Sequence, residues 1–257
     1  MSAGVWLPKQ FGAWAMLVAP VITGVSLGGL RWETCAIAVA WITAYLGYMA
    51  VRGVIGSKRA PDRRRRYATA AVVYLALAAV IVAALLWWHA ALLWWGIPLA
   101  VSLGGSLALI VAGRERSVLN DALLIGASCL MAAVTATAPR LARDLRWGAF
   151  TGAVSWPVAW LAAAALAGYF WGTIFYVKTM IRERGKTSWY ASSVAYHCAM
   201  IALAALVNWW VVGFAAIVAA RAIAVPKLWP RAKPRQIGIA EIVLTAGLIV
   251  ILATTLV

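Results

Sequence analysis

Residues 63–88 read RRRRYATAAVVYLALAAVIVAALLWW. Four arginines are followed by an unbroken run of uncharged, mostly apolar residues, and the run ends in two tryptophans. About twenty such residues in a helix cross the ~30 Å hydrocarbon core of a bilayer. Arginine favours the cytoplasmic boundary, and tryptophan settles at the membrane interfaces. The stretch therefore predicts a transmembrane helix whose arginine end is cytoplasmic.

The composition extends this prediction to the whole chain. The 257 residues are 65% hydrophobic and 12% charged, with a mean hydropathy of +0.89, whereas soluble domains carry about 25% charged residues. Helices are expected because a lone segment in lipid must satisfy its own backbone, and the ~10-residue alternating segments of a barrel do not occur. We predict an all-α polytopic bundle forming one domain over residues 1–257. Its nine predicted spans are 11–30, 36–56, 68–88, 91–112, 119–138, 156–177, 190–207, 209–225 and 237–256.

The distribution of charge sets the predicted orientation. If the nine spans alternate in direction, 19 of the 23 Lys and Arg residues fall on one side. This bias predicts a cytoplasmic N-terminus, interpreted as a retained first helix, and an external C-terminus. The segments WWHAALLWW, SWPVAW and NWWVV then lie at the outer interface. Because the membrane face accounts for the excess of cations, nucleic acid is not an expected partner.

The tightest predicted turns lie near residues 88–91 and 207–209. If either pair of spans were one long tilted helix, every later span would reverse its direction. The count of nine therefore depends on these two turns.

The end of the sixth span carries a cluster of cations. In residues 169–190, YFWGTIFYVKTMIRERGKTSWY, the cations Lys178, Arg182 and Lys186 recur at four-residue spacing and would repel one another on a helix. Lys178 directly follows the apolar run, and ionisable groups at that depth usually face the bundle interior. A phosphate site would use Arg182 and Arg184 for bidentate contacts and the lysines as point charges.

Two other helix ends join this candidate site. Val51-Arg52 echoes Val177-Lys178 at an offset of about 125 residues, as in repeats that place a site between two halves. Between them, GRERSVLNDALLIGAS closes the fourth span and opens the fifth. We expect the cavity to lie between the second, fourth and sixth helices. The candidate ligand-binding residues are Arg52, Lys178, Arg182, Arg184, Lys186, Arg114, Arg116, Asn120 and Asp121.

The same charged residues also fit roles that need no phosphate site. Basic loops bind anionic headgroups, each cation contributing about 1 kcal/mol, and Asp121 can cap a helix start. Alternatively, Arg52, Lys178 and Asp121 face one another along an anion transport path. Glu241 can interact favourably with the dipole of the last helix or pair with Arg235.

Metal and cofactor chemistry have little support in the sequence. Neither His89 nor His197 has a histidine or carboxylate four residues on, so neither a haem nor a metal site is expected. No phosphate-binding loop, dinucleotide fingerprint or Ser-His-Asp set is visible. We predict no cofactor and no metal ligands.

Three segments resemble the YwiC-like family of bacterial membrane proteins: LPKQFGAWAMLVAP, RERSVLNDALLIGAS and YFWGTIFYVKTMIRERGK. Phe11 stands where the family has His, which excludes a proton-transfer role at that position. The resemblance implies a multi-pass protein of the bacterial cytoplasmic membrane. It implies no established activity.

A more distant likeness is to the UbiA superfamily of intramembrane prenyltransferases, which also have nine helices and functional motifs at the inner ends of the second and sixth. Their Asp-rich motifs hold Mg²⁺ against a prenyl diphosphate, but here the matching stretches contain only Asp62. Mg²⁺ is therefore not expected, because it needs oxygen ligands, commonly carboxylates.

The leading hypothesis is a UbiA-like scaffold that binds an anionic amphiphile, a lipid or prenyl phosphate, at its cytoplasmic side. Anionic membrane lipids are then the expected partners, and protein partners stay open. The alternatives are a UbiA-like transferase without the usual Asp/Mg site, an anion transporter and an accessory subunit of a membrane complex.

Overall fold

The computed structural model describes residues 5–7, 11–138 and 156–256, apart from the side chains of residues 11–13. Lys9, Arg140, Arg143, Arg146 and the side chain of Phe11 fall outside this description. The described residues form nine α-helices and no strands, which confirms the all-α fold class. The helices are α1 Phe11–Gly28, α2 Trp32–Gly56, α3 Pro61–Trp88, α4 Leu93–Val111, α5 Val118–Thr137, α6 Trp156–Val177, α7 Thr187–Ala204, α8 Trp209–Leu228 and α9 Pro234–Thr255.

Seven of the nine helical segments are long and apolar enough to cross a membrane. They contain α2, α3, α4, α5, α6, α8 and α9. The apolar part of α1, Trp14–Gly28, is shorter, and α7 opens with the polar sequence TSWYASS. The protein is thus a multi-pass membrane bundle, and its orientation in the membrane remains a prediction.

The start of α3 differs from the prediction. The helix begins at Pro61 and not at residue 68, so Arg63–Arg66 form its first turns and not part of a loop. Proline is favourable at the first helical position because its missing N–H would be unsatisfied there in any case. Asp62, in the first turn, complements the helix dipole.

Both tight turns are present. A 3₁₀ turn, Ala90–Leu92, separates α3 from α4. Between α7 and α8, Asn208 caps α8 by accepting a hydrogen bond from the Val211 amide at 3.0 Å, and its own amide donates to Thr255 Oγ1 at 2.8 Å. The nine-helix count is therefore confirmed for the described residues.

Helix α5 lies at the centre of the bundle and packs against α1, α4 and α6. Its contact with α1 is close because both helices present small residues. A Cβ atom at Gly24 would collide with Thr135 and the Ala132 carbonyl, and one at Gly28 would collide with Ala136. Small residues spaced by four allow such backbone approach in membranes, where van der Waals packing drives helix association.

Substituting Gly24 by Leu is expected to destabilise the bundle by about 1–3 kcal/mol, because the larger side chain overpacks the α1–α5 contact. Thermal unfolding in detergent, followed by size-exclusion chromatography, measures the loss. Gly104→Leu is the matched control, since nothing lies within 4 Å of a Cβ at Gly104. Equal melting temperatures for the two variants would contradict the claim that Gly24 allows the close approach of α1 to α5.

The connections 57–60, 112–117, 183–186 and 229–233 lie together at one end of the bundle, which we call the basic end. Contacts across it link Arg52 with Glu115 and Lys178 with Asp121. Toward the opposite end, Trp95 contacts Trp156 and Trp160. The cations and the tryptophans thus concentrate toward opposite ends of the helices.

Candidate functional site

A cavity of about 510 Å³ opens at the basic end between α1, α5, α6 and α9. It contains the charged side chains of Asp121, Lys178, Arg182 and Glu241, and the rest of its lining is mostly apolar. The sequence predicts a cavity between the second, fourth and sixth helices; of these, only the sixth lines it. The placement among α2 and α4 was wrong because those helices pack against α3 and α5 instead.

A turn of π-helix, Lys178–Arg182, follows α6 directly and carries the two cations that line this cavity. Its wider winding is closed by the Glu183 amide, which donates to the Lys178 carbonyl at 2.7 Å. Thr179 and Met180 are buried in the protein, whereas Lys178 and Arg182 line the cavity. π-turns are rare, and they often occur at functional sites.

Lys178 and Asp121 form an ion pair, with 2.7 Å between Nζ and Oδ2. Their side chains are 11% and 25% exposed. The Lys178 ammonium also lies 5.6 Å from the centroid of the Trp189 ring. Asp121 occupies the first turn of α5, where it also complements the helix dipole. The prediction that Asp121 caps α5 was wrong, because Ser117 is the cap and accepts a hydrogen bond from the Asn120 amide at 3.2 Å.

Arg182 differs from Lys178 because its side chain is exposed at the cavity and forms no ion pair with any described carboxylate. Within the described residues, its guanidinium has no hydrogen-bond acceptor, so its donors are available to a ligand. A planar fork of N–H donors suits the oxygens of a phosphate or carboxylate.

Arg52 lies away from this cavity. It pairs with Glu115 across α2 and the α4–α5 connection. Beside that pair, Tyr48 and Ser106 share a hydrogen bond of 2.7 Å, Ser106 donates to Asn120 Oδ1 at 2.5 Å, and the Asn120 amide donates to the Glu115 carbonyl at 2.8 Å. The predicted site residues Arg52 and Asn120 thus belong to a polar cluster that joins α2, α4 and α5.

The remaining candidates separate further. Arg184 and Lys186 line a second cavity of about 290 Å³ beside the end of α8. Lys186 pairs with Glu183 at 2.7 Å. Arg114 and Arg116 are exposed in the α4–α5 connection and do not line the larger cavity. Of the predicted residues, the structure brings Lys178, Arg182 and Asp121 together at the larger cavity.

One buried ion pair was not predicted from the sequence. Glu241, deeper in the same cavity, pairs with Arg221, and both side chains are only 10% exposed. The other Glu241 carboxylate oxygen accepts hydrogen bonds from Tyr169 at 2.9 Å and Thr173 at 2.8 Å. The Arg221 guanidinium lies 4.1 Å from the centroid of the Tyr176 ring.

The partner of Glu241 is therefore Arg221 and not Arg235. Both residues stand inside apolar runs of the sequence, Arg221 in GFAAIVAARAIAV and Glu241 in IGIAEIVLTAG. Charges at that depth usually pair with each other, so their position was a usable signal. Within residues 11–138 and 156–256, no three His, Cys, Asp or Glu side chains cluster as metal ligands.

Residues 7–136 match the family model described as YwiC-like protein. The chain belongs to the YwiC-like family. The match covers α1 to α5 and includes Asp121, whereas Lys178 and Arg182 of this YwiC-like protein lie beyond it. No curated protein and no solved structure matches the chain. The likeness to the UbiA superfamily stays a prediction.

Proposed function

We propose that this YwiC-like protein binds the phosphate head group of a membrane amphiphile in the cavity between α1, α5, α6 and α9. The observation that carries the proposal is the π-turn of α6. It places two cations, Lys178 and Arg182, at a cavity whose other walls are mostly apolar.

The apolar lining suits a lipid or prenyl chain. Met16, Phe170, Ile174, Ile237 and Ile242 contribute side chains from three helices. A cavity volume of about 510 Å³ falls in the range of roughly 300–1,000 Å³ typical of small-molecule sites. Such sites orient their ligand through a few polar groups in an apolar wall, and the cations supply these groups here.

The cations also suit an anionic head group without a metal. Arg182 offers bidentate donors and Lys178 a compact point charge. Their attraction to a phosphate is stronger at the edge of the hydrocarbon than in water because the effective dielectric constant is lower. Asp121 competes for Lys178, so a bound phosphate shares or replaces that partner.

The proposal is tested with the double variant Lys178→Gln/Arg182→Gln. Native mass spectrometry of the purified protein is expected to show several-fold less co-purifying anionic lipid than in the wild type. The control is Arg64→Gln/Arg65→Gln, which removes the same charge from exposed positions at the same end of the bundle. If both double variants retain anionic lipid equally, the head-group site is elsewhere.

A second candidate function, anion transport, is favoured by one observation. The Lys178–Asp121 pair and Glu241 line the same cavity, and Glu241 pairs with Arg221 behind the cavity wall. Paired charges within a membrane commonly mark ion pathways. Flux of an organic phosphate into proteoliposomes that disappears in Glu241→Gln, while lipid retention stays unchanged, would favour transport over binding.

A further inference from the structure

A separate cavity of about 260 Å³ lies between α6, α7 and α8. Its walls are almost entirely apolar, with Leu161, Met200, Leu203 and Phe214 among its lining residues. It shares only the Tyr169 wall with the basic-end cavity, and neither Lys178 nor Arg182 lines it. Nothing in the proposed function uses this space.

Two polar side chains line this cavity, Tyr169 and His197; the Tyr169 hydroxyl already donates to Glu241, so the imidazole of His197 is the group of interest. The residue is 3% exposed, and its Nδ1 lies 2.6 Å from the Ser193 carbonyl oxygen. A carbonyl oxygen only accepts hydrogen bonds, so Nδ1 carries the hydrogen, and in the neutral ring Nε2 is an acceptor. Within the described part of the chain, Nε2 is buried and has no hydrogen-bond partner. An unpaired buried acceptor is costly and rare in native proteins.

Two glycines of α6 shape the wall beside this acceptor. A Cβ atom at Gly172 would lie 2.8 Å from His197 Nε2, and one at Gly168 would collide with Met200. Both glycines line the cavity. His197 Nε2 therefore packs against the backbone of Gly172, and an alanine at that position would place a methyl group against it.

We propose that this cavity binds a lipid-soluble alcohol or phenol whose hydroxyl group donates a hydrogen bond to His197 Nε2. The apolar walls take the hydrocarbon part of the molecule. Because Ser193 fixes the hydrogen on Nδ1, the site favours a ligand with a donor over one that carries only a carbonyl or an ether oxygen. The site is independent of the head-group site at the basic end.

The test compares geraniol with geranyl methyl ether, which keeps the chain but lacks the donor. Binding to the detergent-purified full chain is measured by isothermal titration. The wild type is expected to bind the alcohol about tenfold more tightly than the ether, which corresponds to one hydrogen bond to a buried acceptor. Equal affinities, or no binding of either probe, would overturn the proposal and leave the cavity to lipid tails.

Three variants test whether the discrimination between the two probes arises at His197. His197→Phe keeps a ring of similar size and is expected to bind both probes equally, with the affinity for the ether unchanged. Gly172→Ala is expected to lose the discrimination as well, because its methyl group displaces the imidazole. Lys178→Gln/Arg182→Gln is expected to keep it. Should the double variant lose the discrimination instead, geraniol binds at the basic end and the assignment to His197 is wrong.

Discussion

Replacing Glu241 by Leu is expected to lower the free energy of unfolding by about 3–5 kcal/mol. The substitution leaves the Arg221 guanidinium nine-tenths buried without its carboxylate. It also removes the carboxylate that accepts from the hydroxyl groups of Tyr169 and Thr173, leaving Tyr169 only the Glu241 carbonyl at 3.2 Å. Breaking one side of a buried pair is costly because the remaining charge has neither water nor a counter-charge.

The double variant Glu241→Leu/Arg221→Met distinguishes this cause from poor packing. Because both charges are gone, it is expected to recover most of the lost stability. Denaturant unfolding in mixed micelles measures all three proteins. Glu183→Leu is the control, since its partner Lys186 is 65% exposed and such pairs contribute at most about 1 kcal/mol. A Glu241→Leu cost no greater than the Glu183→Leu cost would show that the buried pair is not a major contributor.

Removing the charge of Asp121 is expected to raise the affinity for an anionic amphiphile about tenfold, a gain of roughly 1.4 kcal/mol. In the free protein, Asp121 holds Lys178 at 2.7 Å and competes with any phosphate for that ammonium. Asp121→Asn keeps the shape of the side chain and frees the cation. We therefore expect Asp121→Asn to strengthen ligand binding, whereas most substitutions in a binding site weaken it.

Titration of a short-chain phosphatidic acid in detergent measures this change. Asp62→Asn is the matched control, because it removes an exposed carboxylate at the same end of the bundle and is expected to change the affinity little. Weaker binding in Asp121→Asn would mean that the carboxylate itself contacts the ligand or a cation, in opposition to the proposed role of Lys178.

Much of the fold could be predicted from composition and charge. Runs such as residues 68–88 are apolar over the length of a membrane span, and backbone hydrogen bonding in lipid then requires helices. The grouping of cations at alternate helix ends predicted the orientation of the bundle, which stays a prediction. The position of Lys178 directly after an apolar run indicated an inward-facing cation, and the structure places it in a cavity.

The neighbours of each helix could not be predicted in the same way. In lipid, both the buried and the exposed faces of a span are apolar, so hydrophobic periodicity hardly marks the contact face. The position of α1 beside α5 depends on close packing such as that at Gly24, which charge patterns do not show. For the same reason, the pairing of Arg52 with Glu115 could not be predicted, because it depends on which helix ends are neighbours.

The π-turn could not be predicted from the sequence either. Lys178 and Arg182, within this turn, line one cavity, whereas Arg184, beyond it, lines another. An ordinary helix would place Lys178, Arg182 and Lys186 on one face, as the four-residue spacing predicted. The chain leaves helical geometry before Lys186 because Gly185 adopts a positive φ of 83°.

The most direct test is an experimental structure of the protein in nanodiscs made with phosphatidic acid. We expect lipid density between α1, α5, α6 and α9, with phosphate oxygens about 3 Å from the guanidinium of Arg182 and the ammonium of Lys178. Phosphate density confined to the exposed arginines 63–66, with none in this cavity, would contradict the proposed head-group site.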